Sequence, residues 1–218
     1  MMGRTPKKGW KFFSTYYYRK GEQPFRTYLT SAWENLPKIS EKIKSLVPNP
    51  ERSTAIEIGP ALIPVLQYHP FKEKIYVEGS PALAARIKKG GHAKGSKIIS
   101  GNIRNLPLLR RIKADIIVAN EVLAHIWPEE RLQTVADIAG RTNALLIIDR
   151  LKIPFDKFRT EMAGSKLDEK RLKMSYTQRV DFKEIIRLLR ERGFEVKAET
   201  DVAGGTKYVI LTAKRKEL

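Results

Sequence analysis

From Ser53 onward, short apolar runs of strand length alternate with segments of helix length, and this alternation restricts the fold. The runs are STAIEI, KIYVE, SKIIS, ADIIVAN, ALLIID, FEVKAE and KYVILTAK. Most are continuously apolar, which is typical of strands covered on both faces. Helix-length segments between such strands favour parallel pairing with crossover helices. The sequence therefore predicts a three-layer α/β fold with a mainly parallel seven-stranded sheet.

The segments between these runs are predicted to form the helical layers. They are GPALIPVLQYH, SPALAARIKK, RNLPLLRRI, PEERLQTVADIAG and DFKEIIRLLRERG. In the last of them Asp181 is a predicted N-cap with Glu184 three residues later, and Gly193 is a predicted stop. The short TDVAGGT between the final two runs is close to hairpin length, so we expect the final strand to be antiparallel.

The chain before Ser53 is organised differently. Residues 1–50 contain the aromatic and basic WKFFSTYYYRKGEQPFRTYL, continue with the helix-like SAWENLPKISEKIKSLV and end in VPNP. We expect a basic, aromatic and partly helical N-terminal extension over 1–50, followed by one domain over 51–218. Within that domain, residues 151–180 lack a clear period and are expected to form a partly helical insertion after the fifth strand.

Composition excludes several classes of protein. A hydrophobic content of 42% with 30% charged residues is typical of a soluble globular chain, and no apolar run is long enough to span a bilayer. The N-terminus lacks the pattern of a secretory signal. We therefore expect a cytoplasmic protein with no membrane partner. The absence of cysteine and the dispersion of His69, His92 and His125 predict no metal site. The sequence specifies no oligomeric state.

The net charge of +18 is concentrated in three stretches of the 218 residues. Residues 1–47 carry a net +7, residues 151–180 a net +4, and 86–113 hold nine basic residues without an acid. Residues 48–85 and 114–150 carry net charges of −1 and −3. A solvated, highly charged surface is one interpretation of this pattern. An anionic partner such as nucleic acid is the other.

Polar residues follow three of the predicted strands at the edge where a parallel sheet binds its ligands. Glu57 and Gly59 end the first strand, and the glycine lets a ligand approach the backbone. Glu78 ends the second strand, where a carboxylate can accept both hydroxyls of a ribose. Asn102 follows the third strand and its amide suits the edge of an adenine.

With these motifs, residues 53–213 resemble the class I S-adenosylmethionine-dependent methyltransferases, which have a Rossmann-like fold. AIEIGPALIP resembles the glycine-rich first motif, IYVEGSPALA the second, GNIRNLPL the third and ADIIVANEVLAHI the fourth. GFEVKAE and YVILTAK resemble the final hairpin of the family. The resemblance implies the strand order 3-2-1-4-5-7-6 with strand 7 antiparallel.

The resemblance also implies S-adenosylmethionine (SAM) as cofactor and a set of cofactor-binding residues. The set departs from the family pattern, because Ala61 and Ile63 stand where further glycines are usual and Asn102 stands for an aspartate. The cofactor-binding residues implied are Glu57, Gly59, Pro60, Ala61, Glu78, Gly79, Ser80, Asn102, Ile103 and Asn120.

Several of these residues have a structural alternative. Glu57 is either a cofactor-site residue or a core acid that backbone amides satisfy. Asn120 and Glu121 either line the path of the methyl group or cap the next segment. His125 is a candidate base, although a histidine packed beside Trp127 is the more common arrangement. Asn120, Glu121 and His125 are thus the catalytic candidates.

The predicted function is methyl transfer from SAM, with RNA, such as ribosomal or transfer RNA, as the preferred acceptor. Aromatic side chains interleave with basic ones in the N-terminal segment, as proteins that stack on exposed bases require. The predicted substrate-binding residues are Lys7, Lys8, Trp10, Lys11, Tyr16, Tyr17, Arg19 and Lys20. The alternatives are a small-molecule or protein methyltransferase, and a nucleic-acid-binding protein without enzymatic activity.

Overall fold

The computed structural model of the chain describes residues 36–60, 64–90, 94–101, 112–126, 128–161, 179–203 and 206–216. Seven strands form one sheet in the order β3-β2-β1-β4-β5-β7-β6, which confirms the predicted order. The strands are β1 Thr54–Ile58, β2 Glu73–Glu78, β3 Lys97–Ser100, β4 Ala114–Asn120, β5 Thr142–Arg150, β6 Phe194–Ala203 and β7 Thr206–Arg215.

Five helices are described beside the sheet. They are α1 over 36–46, α2 Pro81–Lys89, α3 Pro128–Ala139, α4 Phe155–Glu161 and α5 Phe182–Glu191. The predicted ends of α5 are confirmed, because the Asp181 side chain accepts a hydrogen bond from Lys183 N and Gly193 adopts a left-handed φ of 80°. Pro37 lies in the first described turn of α1.

Two of the predicted helical segments have no α-helix in the described residues. Residues 59–69 were expected to be helical, but the described part contains only a 3₁₀ turn, Val65–Tyr68. The prediction is wrong there because Pro64, which adopts an extended backbone, and Pro70 bound the segment and leave room for one turn. Most of the other segment, 104–112, lies outside the described residues.

Parallel pairing sets the polarity of the sheet. β1 pairs with β2 and β4, β2 with β3, and β4 with β5, all in parallel. β7 is antiparallel to both β5 and β6, which confirms the prediction of an antiparallel final strand. The carboxyl ends of β1, β2, β4 and β5 therefore meet at one edge, hereafter the carboxyl edge, and the opposite one is the amino edge.

Each face of the sheet has its own apolar core. On one face α3 and α5 pack on the sheet, through side chains that include Val135, Ile138, Phe182, Ile185 and Leu189. The other face is covered by Ile39 and Ile43 of α1, by the 3₁₀ turn and by Ile87 of α2. Because strand residues alternate between faces, Glu57, Glu78, Asn120 and Arg150 belong to the face that α1 covers. None of the helices in the described ranges has the length and apolar character needed to cross a membrane.

Gly59 follows β1 in the left-handed region, with φ of 63°, and a Cβ there would lie 2.9 Å from Cγ2 of Val122. We expect Gly59→Ala to destabilise the fold through both the backbone strain, about 1–2 kcal/mol, and the overlap, a further ~1–3 kcal/mol. Gly193→Ala is the matched control, since its φ is 80° and nothing lies within 4 Å of its Cβ position. Urea unfolding measures both variants.

The overlap contributes only if Val122 stays in place. In a Val122→Ala background, Gly59→Ala and Gly193→Ala should lower the free energy of unfolding by the same amount. Equal costs for the two glycine variants in the wild-type background would show that the predicted contact at Gly59 is absent.

Candidate functional site

Gly59 follows β1 and is still hydrogen-bonded to the neighbouring strand. Its backbone N–H donates to Val77 O at 2.8 Å, so pairing with β2 continues past the end of β1. The left-handed backbone then turns the chain away above the carboxyl edge. Pro60, which follows, is buried. At this tight turn Gly59 is half-buried and has no side chain, as the first motif predicts.

Glu57 is buried, with 1% of its surface exposed. Its Oε1 accepts from Val65 N at 2.9 Å and its Oε2 from Leu66 N at 3.0 Å. The carboxylate therefore fastens the 3₁₀ turn to the end of β1. This arrangement is the structural alternative that the sequence left open, and a direct cofactor contact by Glu57 stays a prediction.

Glu78 ends β2 and is also buried, at 2% exposure. Its Oε1 accepts from Ser80 N at 2.8 Å, and the Ser80 side chain caps α2 by accepting from Leu83 N. Gly79 between them is exposed. The carboxyl group is thus held at the start of the β2–α2 connection, beside an open segment of backbone.

Glu57 and Glu78 lie at adjacent strand ends, where their charges affect each other. Burial raises the pKa of Glu57 to about 7, and the charge of Glu78 raises it further, against the two amide hydrogen bonds, which lower it. The raised pKa shows mainly that a charge on Glu57 is costly at this buried position, with a smaller contribution from the charge of Glu78. A ligand carrying positive charge or hydroxyl donors would relieve that cost, and a ligand with negative charge would increase it.

The end of β4 has a strained backbone. Glu121, the residue after Asn120, has a φ of 52°, and it is the one non-glycine residue with positive φ among those described. Its N–H donates to Ile148 O at 2.7 Å, while its carboxylate accepts from Arg150 Nη2 at 3.0 Å and from Tyr208 Oη at 3.3 Å. Strain of this kind is kept where the surroundings fix it and is common at functional sites. Asn120 is partly buried beside it.

His125 ends a 3₁₀ turn, Leu123–His125, after β4. Burial lowers the pKa of its imidazole to about 4, and the charges of Arg150 and Arg131 lower it further. The ring is therefore neutral at physiological pH. A neutral ring has a lone pair for a proton, so His125 and Asn120 stay catalytic candidates, while the Glu121 carboxylate is engaged by Arg150 and Tyr208.

Asp149 was not among the predicted residues, yet it is completely buried at the carboxyl edge. Its Oδ2 accepts from Ala124 N at 3.0 Å and its Oδ1 from Arg150 N at 2.8 Å. Burial raises its pKa to about 7, and Glu121 contributes to the rise. The acid at the end of the apolar run ALLIID is the sequence signal that would have identified Asp149.

Arg131 on α3 is a second buried residue that sequence reasoning missed. Its Nε donates to Leu123 O at 2.8 Å and to Ile126 O at 3.0 Å, and its Nη1 donates to Arg179 O at 3.0 Å. Arg131 thereby ties the turn after β4 to the returning end of the 151–180 insertion. A single arginine in a helical sequence does not predict this role, because its partners are backbone carbonyls.

The structure brings Glu57, Gly59, Glu78 and Asn120 to one edge, where the sequence placed them. The cofactor residues Ala61, Asn102 and Ile103 lie outside the described ranges, and their roles stay predictions. The same holds for the substrate residues Lys7, Lys8, Trp10, Lys11, Tyr16, Tyr17, Arg19 and Lys20.

Most of the described basic residues in the acid-free stretch 86–113 lie away from the carboxyl edge. Lys88 and Lys89 end α2, Lys97 begins β3 and Lys113 precedes β4, so these exposed side chains lie toward the amino edge. The crossover helix runs back from the carboxyl edge, which is why its basic last turn lies at the opposite end. Within the described ranges, no group of three or more His, Cys, Asp or Glu side chains is arranged to hold a metal ion.

Solved structures share this architecture. One is magnesium protoporphyrin IX methyltransferase (ChlM) from Synechocystis PCC 6803 with bound S-adenosylhomocysteine (SAH), at a TM-score of 0.70 and 14% identity over 95% of this chain and 94% of that one. The plantazolicin methyltransferase BpumL, in complex with a triazolic desmethylPZN analog and SAH, gives 0.63 and 15% over 97% and 92%. The chain has the fold of class I SAM-dependent methyltransferases.

A third structure, the N-terminal domain of EvdMO1 in the presence of SAH and D-fucose, gives a TM-score of 0.60 and 12% identity over 84% of this chain and 83% of that chain. At these identities the likeness establishes the fold. No protein-family model and no curated protein matches the sequence.

The buried Asp149 makes a prediction about pH. Because its pKa is about 7 in the folded chain and 3.8 as its ordinary value, the folded state binds the extra proton. Its contribution to stability is present at low pH and is lost as pH rises toward 7. We expect the free energy of unfolding of Asp149→Asn, taken relative to wild type, to be roughly 2–3 kcal/mol higher at pH 8 than at pH 5.

Urea unfolding at the two pH values measures this difference. Glu57 and His125 titrate in both chains, so they cancel in the comparison. Asp115→Asn is the control, since it makes the same substitution at an exposed carboxylate, which accepts from Thr54 N at 2.7 Å. If the effect of Asp149→Asn does not change between the two pH values, Asp149 does not titrate in this range and its pKa is not raised to about 7.

Proposed function

We propose that the protein is a SAM-dependent methyltransferase and that the cofactor lies at the carboxyl edge between the ends of β1, β2 and β4. The observation that carries the proposal is the combination of left-handed Gly59 with two buried carboxylates, Glu57 and Glu78, on neighbouring strand ends. Neighbouring structures of the same fold that contain SAM or SAH support it.

The described residues fit such a cofactor. Gly59 and Gly79 themselves have no side chains to obstruct an approaching ligand, and the Glu78 carboxyl suits a ribose diol. The negative field of Glu57 and Glu78 suits a cation, and the cofactor supplies a sulfonium-activated methyl group. With that leaving group, the chain has to align the acceptor and exclude water. A base is needed only for an acceptor that begins protonated.

Loss of the Glu78 carboxylate is the direct test of the cofactor site. We expect Glu78→Ala to weaken SAM binding by about 1.5–3 kcal/mol, which corresponds to roughly tenfold to a hundredfold. Glu78→Gln keeps an acceptor for Ser80 N and separates the loss of charge from the loss of the loop contact. Equilibrium dialysis with labelled SAM measures the affinity of each variant.

Glu73→Ala is the matched control, because Glu73 is an exposed acid at the other end of the same strand. A folded Glu78→Ala chain that binds SAM as tightly as Glu73→Ala does would remove Glu78 from the cofactor site.

RNA is our proposed acceptor, on the basis of charge placement. Residues 1–47 and 151–180 carry most of the segregated positive charge, and the second of these segments leaves the sheet at its carboxyl edge. Lys152, Lys157 and Arg159 are exposed in its described part. A phosphate backbone binds such a surface by releasing counterions. By contrast, Lys38 and Lys42 on α1 are paired with Asp201 and Glu199 of β6.

A small molecule or peptide is the second candidate acceptor. The neighbouring structures named above are a magnesium protoporphyrin IX methyltransferase and a plantazolicin methyltransferase. Methylation by this chain in a cell extract that survives nuclease treatment would favour this candidate over RNA.

The RNA proposal predicts a strong salt dependence. Replacing the six basic residues of 1–20 by glutamine should weaken transfer RNA binding and lower the slope of log affinity against log salt by several units, because each phosphate contact contributes about 0.7–0.9. Filter binding at several salt concentrations measures the slope. The substituted residues are Arg4, Lys7, Lys8, Lys11, Arg19 and Lys20.

The control variant replaces Lys88, Lys89, Lys94 and Lys97 by glutamine at the amino edge, where we expect no acceptor. Its slope of log affinity against log salt should change much less than that of the N-terminal variant. The proposal fails if wild type does not bind transfer RNA at low salt, or if the amino-edge variant changes the slope as strongly.

A further inference from the structure

The sheet ends on one side with a long strand, β6. Among the described residues β6 pairs with β7 alone. It has ten residues and contains no proline, whereas β3, the strand at the other end of the sheet, has four residues. Proteins commonly protect the end of a sheet from further pairing with a short strand, a proline or charged side chains. β3 is protected by its length, while β6 is long enough to pair with another strand.

Both faces of β6 are uncovered over its second half. Residues 197–200 are all exposed, although successive side chains of a strand point to opposite faces. On the face that α5 covers, Ala198 and Thr200 line a groove of about 300 Å³ to which α5 and β7 also contribute. Val202 is 59% exposed, more than any other large apolar residue that the structure describes. The exposed surface of β6 therefore includes apolar side chains.

The β6 edge is electrically neutral, in a chain with a net charge of +18. β6 contains three acids and one lysine, and two of the acids, Asp201 and Glu199, are paired with Lys38 and Lys42 of α1. The cations here balance the acids. Two copies of a strongly basic chain repel each other over most of their surface. A neutral edge is where that repulsion is weakest.

We propose that two copies of the chain associate through β6, which pairs with β6 of the second copy about a two-fold axis. Such an interface uses the same residues of both copies, and the two strands run antiparallel. The two sheets then form one continuous sheet. Because the strands run in opposite directions, the two carboxyl edges face opposite ways and each candidate cofactor site stays open.

Opposite charges favour one register of this pairing. When the pair is centred on Ala198, residues 194–202 of the two strands overlap, and Lys197 of each copy faces Glu199 of the other. Both side chains are largely exposed, at 75% for Lys197 and 56% for Glu199. A pair centred on Lys197 would place the two lysines opposite each other, and like charges in that position destabilise a strand pair.

The other cross-strand neighbours fit the same register. Val202 faces Phe194 of the second copy, over whose ring the Arg215 guanidinium lies at 4.6 Å. Glu195 faces Asp201, whose charge Lys38 balances. Pairing in this register therefore covers the exposed valine and adds two ion pairs.

Charge reversal tests the interface. We expect the wild-type chain to sediment as a dimer, and Lys197→Glu and Glu199→Lys each to raise the dimer Kd about tenfold, because each puts like charges at both contacts. An equimolar mixture of the two variants has opposite charges at both contacts of the mixed dimer, so it should dimerise like wild type. Lys97→Glu on β3 is the matched control and should also dimerise like wild type. Analytical ultracentrifugation over a range of concentrations measures these constants.

A single introduced cysteine tests the register separately, because the chain has no cysteine of its own. Ala198→Cys places two thiols opposite each other across the axis, within reach of a disulfide, and should give a covalent dimer on mild oxidation. Thr200→Cys is the control. Its two copies lie roughly 13 Å apart in this register, too far for a disulfide.

A wild-type chain that stays monomeric at every concentration overturns the inference, and so does a dimer that neither charge reversal weakens. Failure of the mixed variants to dimerise, or equal crosslinking of the two cysteine variants, overturns the register and the interface with it. If a charge-reversed chain does not fold, the cysteine variants decide, since they keep every charge of β6. Neither experiment needs a cofactor, so the outcome is independent of the proposed function.

Discussion

Buried carboxylates at the end of a parallel sheet need hydrogen-bond donors, and backbone amides supply them here. Glu57 on β1 holds the turn after β1, Glu78 on β2 holds the start of α2, and Asp149 on β5 holds the turn after β4. Each of these connections is therefore attached to the sheet by an acid from a strand end. The position of the candidate site depends on these contacts, because the connections form its walls. Sheet polarity makes this possible, since it gathers all three acids at one edge.

The same acids give the edge its electrostatic character. Burial raises the pKa values of both Glu57 and Asp149 to about 7, so each lies in surroundings that disfavour its charge. At the Glu57–Glu78 end this favours a cationic ligand. At the other end the cationic Arg150 and Arg131 lie close to Asp149 and Glu121. Burial, with a smaller contribution from the two arginine charges, lowers the pKa of His125 and keeps it neutral. One edge thus contains an acidic half and a charge-balanced half.

The strands were predictable from the sequence because a buried strand is a continuous apolar run, and the order followed from the motifs. The Asp181 N-cap and the Gly193 stop were predictable because both depend on local chemistry. The helix after Gly59 was mispredicted because Pro64 restricts the segment to one turn. The ion pair of Arg150 with Glu121 joins residues 29 positions apart and follows from register, which periodicity does not reveal. The position of Lys97 at the amino edge likewise follows from the path of the chain.

Titration calorimetry of the wild-type chain with SAH shows directly whether the carboxyl edge is a cofactor site. We expect saturable binding of one SAH per chain, with SAM competing for the same site. We also expect chemical shifts or exchange protection to change at Gly59 and Ser80 and not at Lys97 on the amino edge. Absence of saturable heat at millimolar SAH would show that the carboxyl edge binds no cofactor, and perturbation confined to the amino edge would place the ligand elsewhere.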